Sequence, residues 1–147
     1  MFFIHLAMAA ATHCVDTKAD VRTLMTRSVG AEFSQVLESP WSETTADDGK
    51  PLQITVSEQE GKLYMVFNKT KEGIWAEGPA QVCESEGDLK LKIIGKTIKL
   101  GQAAPWPIRW SMSDGASLGL KFKASDKLHV STTGWSGDFV PGKANEL

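Results

Sequence analysis

"LQITVSEQEGKLYMVFN", residues 52–68, sets the repeat on which the rest of the chain is built. Leu52, Ile54 and Val56 alternate with Gln53, Thr55 and Ser57, and a period of two is the pattern of a strand with one face buried. Glu60-Gly61 offers a tight turn, after which residues 62–68 return as an antiparallel neighbour. Lys71-Glu72-Gly73 turns the chain again into residues 74–83. Glu86-Gly87-Asp88 then leads into "LKLKII", where Leu89, Leu91 and Ile93 share one face and Lys90 and Lys92 the other. Gly95-Lys96 suits a two-residue hairpin loop, so residues 97–101 come back beside 89–94. Residues 108–112, 117–123 and 127–133 complete about eight short strands. Successive hairpins make the neighbours antiparallel, and eight such strands can close on themselves and remove their edges.

Upstream the period lengthens. Val21, Leu24, Met25, Val29, Phe33, Val36 and Leu37 recur three or four apart, which predicts an amphipathic helix over residues 18–39. Asp16 or Asp20 is placed to cap its start, and Pro40 forbids continuation. Gly30 costs about 1 kcal/mol relative to alanine inside a helix; if it divides the segment, residues 32–39 form a first strand instead. Residues 41–51 are polar and turn-rich and read as a linker. The expected fold class is mainly β, with an N-terminal α-helix followed by an antiparallel up-and-down β-barrel of about eight short strands. Failing closure, the strands form a strongly curved sheet with the helix across it.

At 147 residues the chain is sized for one domain, and its 41% apolar and 23% charged residues are those of an ordinary globular protein. The uncharged apolar run over residues 1–12 falls short of the roughly 20 residues a transmembrane helix needs, so no transmembrane segment is expected. It fits the apolar part of a secretory signal peptide, with Ala7-Met8-Ala9 and Ala9-Ala10-Ala11 at the spacing a signal peptidase accepts. Residues 1–11 are therefore expected to be a leader and residues 12–147 the domain. The alternative is an apolar N-terminal segment packed on the fold. A secreted or periplasmic chain with two cysteines, Cys14 and Cys83, is expected to pair them. In the loop-entropy picture a closed loop of roughly 70 residues is worth on the order of 4 kcal/mol.

A leading helix, a meander of about eight strands over roughly residues 50–135, one disulfide and the triplet Gly73-Ile74-Trp75 together resemble the lipocalins and, more broadly, the calycin barrels. The triplet matches the lipocalin Gly-x-Trp signature. In that family the motif opens the first strand, and its Trp packs at the closed end against a basic residue from the last strand. Here two predicted strands precede the motif, and the resemblance assigns the basic role to Lys127 or Arg109. It implies a small barrel carrying an apolar molecule. The architecture is similar, too, to small periplasmic inhibitor barrels of bacteria, which occlude a target enzyme.

The stretch "APWPIRWSMSDG", residues 104–115, spaces Trp106, Ile108, Trp110 and Met112 at every second position. Read as a strand starting at the bend of Pro105 and Pro107, it points all four into the barrel, either as core or as the lining of a ligand pocket. Arg109 points the other way. Trp135, between Gly134 and Ser136-Gly137, belongs to a segment near a barrel mouth, where it caps the end or offers a stacking surface to a sugar or a protein. Trp106, Ile108, Trp110, Met112 and Trp135 are thus the candidate ligand-binding residues.

Charge divides along the chain. Residues 1–88 hold 14 acidic against 7 basic residues, a net of −7, and residues 89–147 hold 4 against 9, a net of +5. Lys90, Lys92, Lys99, Lys121 and Lys123 fall on strand exteriors, as solvated edge protection or as a positive side for an anionic partner. Catalytic signals are poor: His5, His13 and His129 are not placed beside a nucleophile and an orienting acid. Asp47-Asp48-Gly49 and Ser113-Asp114-Gly115 fit turns better than calcium loops. No metal, cofactor or nucleic acid is expected, the last because no basic run is interleaved with aromatics. Asn68-Lys69-Thr70 is an N-glycosylation sequon or a polar turn. Two non-enzymatic readings follow, a lipocalin-like carrier of a small apolar ligand and an exterior-acting module that recognises an anionic envelope component or a protein. An enzyme using cross-strand carboxylates would depend on a register that spacing does not reveal.

Overall fold

A computed structural model describes residues 12–44, 48–93, 99–113 and 117–142. The expected leader over residues 1–11 and the Gly95-Lys96 hairpin lie outside the described residues. In chain order the elements are β1 (His13–Val15), α1 (Lys18–Ser28), β2 (Trp41–Glu43), β3 (Leu52–Gln59), β4 (Lys62–Lys69), β5 (Gly73–Ser85), β6 (Asp88–Ile93), β7 (Lys99–Leu100), α2 (Trp106–Ser113), β8 (Leu118–Ala124), β9 (Lys127–Thr132) and β10 (Trp135–Pro141). Eight strands, β2 to β6 and β8 to β10, close into an antiparallel barrel. The alternation seen in the sequence is the reason. Leu52, Ile54 and Val56, then Leu63, Met65 and Phe67, then Leu89, Leu91 and Ile93 are all buried, and residues between them face outward. Each such side chain contributes about 1.5–3 kcal/mol on leaving water.

Closure depends on a strand the sequence reading takes for linker. Trp41 and Ser42 pair with Ile54 and Gln53 of β3, and β2 meets β10 through Phe139↔Glu43, Val140↔Ser42 and Pro141↔Trp41. Three residues carry no readable period. On the opposite side β5 is 13 residues long and serves two slots on each flank. Its first half pairs with β4 and, at Ala76 and Glu77, with β7; its second half pairs with β6 and β1.

Helical segments stop both ends of the barrel. At one end α1 buries Val21, Leu24 and Met25, and its cap is Thr17, whose hydroxyl accepts from the Asp20 N–H at 3.1 Å, rather than Asp16 or Asp20. The helix expected over residues 18–39 ends at Ser28. The Val29 and Gly30 N–H groups both donate to the Met25 carbonyl, and Gly30 has φ 140, outside the range of a helix. Residues 32–39 are neither helix continuation nor strand but two 3₁₀ turns, Ala31–Phe33 and Val36–Glu38. Phe33 and Trp41 both meet the Phe122 ring edge-on, at 5.9 and 5.8 Å, and the Trp41 indole donates to the Val36 carbonyl. No helix among the described residues is long and apolar enough to cross a membrane.

Cys14 and Cys83 are bonded, closing a loop of sequence separation 69. They stand directly opposite each other in the β1–β5 register, with their Cα atoms 4.0 Å apart. The bridge therefore holds a three-residue strand that could not hold itself. Cys14→Ser/Cys83→Ser is expected to lose about 2–5 kcal/mol of stability, read as a lower urea midpoint under non-reducing conditions. An unchanged midpoint would mean that β1 contributes nothing to the barrel.

Candidate functional site

The stretch expected to be an inward-facing strand is a helix. Residues 106–113 form α2, begun by Pro105, whose carbonyl accepts from the Ile108 and Arg109 N–H groups at 3.0 and 3.1 Å. Proline suits the first turn of a helix, where its missing N–H would have no partner in any case. With 3.6 residues per turn, Trp106, Ile108 and Trp110 cannot share one face. Ala104, Ile108 and Ser111 take the inner side, at 6%, 0% and 0% exposure. Trp106 and Trp110, four apart, take the outer side, at 65% and 39%. Their rings stack with planes 15° apart and centroids 6.2 Å apart. The Met112 side chain lies outside the described residues.

Three local contacts hold the helix in this orientation. Arg109, expected to point away from the interior, towards solvent or under the helix, turns back along the chain, its guanidinium donating to the carbonyls of Ala104 at 3.0 Å and Gly101 at 2.6 Å. Gly101 in turn donates its N–H to the Trp75 carbonyl at 2.8 Å. The approach there is so close that a Cβ on Gly101 would overlap the Ile74 carbonyl oxygen. Ser111 and Thr132 share a hydroxyl hydrogen bond of 2.6 Å across to β9. The first turn of α2 rests on the Gly134 turn, where an added Cβ would come within 3.2 Å of Pro107.

Beneath the helix lies an aromatic stop. Trp135, expected in a segment near a barrel mouth outside the strands, is the first residue of β10, and it is half-buried. It packs on Trp75 and Phe139, each 6.4 Å away between centroids. Trp75 is 7% exposed and its indole N–H has no partner. The cation over its ring is Lys69 of β4, 5.5 Å from the centroid, and not Lys127 or Arg109. Lys69 is itself buried and paired with Asp48 at 3.0 Å. The Asp48 carboxyl is held below the ordinary aspartate range, first by the Lys50 backbone N–H and then by Lys69. A β-bulge between Phe67 and Asn68 offsets the β4–β5 register beside this stack. In the sequon, Asn68 is exposed and the Thr70 hydroxyl donates to the Pro51 carbonyl at 2.6 Å.

The interior is occupied. Phe67, Phe139, Met65, Leu52, Ile108 and Val130 are each 1% exposed or less, in a cluster continuous from α1 to α2. Clefts lie on the outside instead. One of about 350 Å³ is lined by Thr44, Lys123, Lys127, Leu128, Asp138, Phe139 and Val140, and one of about 210 Å³ by Thr12, Cys83, Glu84, Ser85, Asp88, Lys90, Lys92 and Ser117. No three His, Cys, Asp or Glu side chains among the described residues converge where a metal could be held. His129 faces outward and bonds Asp138 through Nδ1 at 2.8 Å, which holds the Asp138 carboxyl below its usual range, with Lys123 adding to the effect. Ile74, Trp106 and Trp110 are the large apolar side chains left exposed among the described residues.

The two faces of α2 should separate under mutation. Ile108→Ala is expected to cost about 2–5 kcal/mol, whereas Trp106→Ala should stay within about 0.5 kcal/mol, both measured by urea unfolding. Equal losses would mean that the four residues share an environment, as in a strand. Asp138 sets a pH dependence with a definite sign. Its folded value is depressed, so its contribution is present above about pH 4 and disappears as pH falls through the folded value. Asp138→Asn is expected to flatten the decline of the urea midpoint between about pH 5 and 2, and a steeper decline would contradict the His129 contact.

No family model, no characterised protein and no solved structure matches this chain, so its function has to be argued from the barrel and its surface.

Proposed function

We propose that this chain is an exported, non-enzymatic binding module that engages its target through the outside of the barrel at the α2 end. One observation carries the reading: two stacked tryptophans, 65% and 39% exposed, stand side by side on a short helix braced from behind by Arg109 and Ser111. Leaving two indoles in water forgoes burial that the same residues would gain elsewhere. Large rigid aromatic faces with few rotatable bonds are what binding surfaces use as anchors. Export is supported by the Cys14–Cys83 bond, since such bonds persist in oxidising compartments, and by the leader-like residues 1–11.

The barrel is lipocalin-like in architecture, and a carrier would hold its ligand inside. A chamber for a drug-sized ligand needs roughly 300 Å³ or more. The side chains of Met65, Phe67, Ile108 and Phe139 fill that region, which is why the site is assigned to the outside. The experiment compares two variants on one substrate. Wild-type protein is expected to co-sediment with the insoluble envelope fraction of its host, and Trp106→Ala/Trp110→Ala to lose at least about nine-tenths of that binding with an unchanged urea midpoint. Undiminished co-sedimentation of the double variant would overturn the reading. So would saturable one-to-one uptake of a fatty acid by the wild-type protein, which belongs to a carrier.

A further inference from the structure

The wall formed by β6, β8 and β9 carries Lys90, Lys92, Lys121, Lys123 and Lys127 on its outer face. Lys92 is half-buried and the other four are exposed. The carboxylates beside them are Asp88 on β6, Glu84 on β5, which accepts from the Gly87 N–H at 2.9 Å, Asp126 in the turn before Lys127, and Asp138 on β10, which is engaged by His129 and Lys123. Lys90, Lys92, Lys121 and Lys127 form no ion pair among the described residues.

Register fixes that arrangement. Lys90 stands opposite Gly119, Gly119 opposite Ser131, and Ser131 opposite Ser136, while Lys121 stands opposite His129 in the next outward-facing row. Alternate residues on a strand are about 7 Å apart. Lys92, Lys90, Lys121 and then Lys123 with Lys127 therefore form a stripe running from the α2 end of the barrel to the α1 end. Gly119, Ser131 and Ser136 share the row of Lys90, and Asp88, His129 and Asp138 share the row of Lys121. At the α2 end of the stripe, Lys90 and Lys92 enter the cleft of about 210 Å³ beside the disulfide, which they line together with the carboxylates of Glu84 and Asp88 and with Ser85, Ser117 and Thr12. That volume is below the range of drug-sized ligands and suits one acid-bearing unit of a longer molecule.

We propose that this wall binds a linear acidic polysaccharide, with one acid group between Lys90 and Lys92 and later ones along Lys121, Lys123 and Lys127. The proposal rests on the exterior-binding reading and names the chemistry of its target. Evenly spaced point charges match a chain of repeated acid groups, and the hydroxyls of Ser117, Ser131 and Ser136 can meet those of sugars. A bilayer surface is disfavoured because, among the described residues, the large exposed apolar side chains Ile74, Trp106 and Trp110 lie on β5 and α2 and none lies on this wall to enter the headgroup layer. An acidic protein is disfavoured for a related reason, since a protein interface wants an aromatic or apolar centre within the patch.

The test measures binding to polygalacturonate, to polyglutamate and to phosphatidylglycerol vesicles. Wild-type protein is expected to bind polygalacturonate best, with an affinity falling at least about tenfold between roughly 50 and 200 mM salt. Lys90→Gln/Lys92→Gln should weaken that binding by on the order of tenfold and flatten its salt dependence. Lys99→Gln, on β7 away from the wall, should bind like the wild type. All these lysines are solvent-facing, and an unchanged urea midpoint verifies the fold of each variant. Wild-type affinity in Lys90→Gln/Lys92→Gln, or tighter binding to polyglutamate or vesicles, would overturn the proposal. If the lysine variants match the wild type while Trp106→Ala/Trp110→Ala still loses envelope binding, this assignment falls and the exterior reading stands. If neither set of substitutions alters envelope binding, both fall.

Discussion

The structure depends on β2 hydrogen-bonding to two strands at once. A sheet of the other seven barrel strands, ending at β3 on one side and β10 on the other, would expose two rows of unpaired amides and carbonyls, and would have no inside. Trp41, Ser42 and Glu43 join those edges through five cross-strand pairs. Once the ring is shut, every alternation in the sequence acquires its meaning: one set of side chains faces a common interior, the other faces water or a partner. The Trp41 side chain also fills the α1 end against Phe122, so the residue that completes the wall helps to plug it.

The strands legible in the sequence were those with one wet face. Residues 52–68, 89–93, 118–123 and 127–132 show a period of two because burial on one side and solvation on the other act on alternate residues. The disulfide was legible because two cysteines leave one pairing. β1 and β2 were not, since three residues show no period and owe their conformation to a covalent bond and a long-range ladder. α2 was misread for a definite reason. Trp106, Ile108 and Trp110 satisfy a period of two, but Trp106 and Trp110 also satisfy i, i+4, and the prolines at 105 and 107 belong to a helix start as readily as to a strand edge. Weighing Pro105 and Pro107 as first-turn residues would have turned the tryptophans outward.

The candidate site was legible in composition and illegible in geometry. Trp106, Trp110 and the strand-exterior lysines can all be picked from the sequence, but not which way the indoles point. Lys69 over Trp75 was missed because it needs a register with a bulge at Phe67 and Asn68, and no spacing rule predicts a bulge. Trp75 is buried beneath Lys69 of the preceding strand, and not beneath the basic residue of the last strand that the Gly-x-Trp resemblance implies. Interior and exterior thus differ in role, aromatic and aliphatic residues securing the shape while the outer faces of α2, β6, β8 and β9 stay in contact with solvent.

The position of β5 in the ring bears on how the molecule can breathe. Counted around the wall, β10 lies diametrically across from β5, with four steps either way, and the short β2 sits beside it. Flanked along its length by β4 and β1 on one side and β6 and β7 on the other, β5 behaves as a hinge pin, while the few hydrogen bonds of β2 behave as a clasp. Fluctuations of this locket should therefore begin at the clasp, and the amide hydrogens of β5 should be among the last to trade places with those of the solvent.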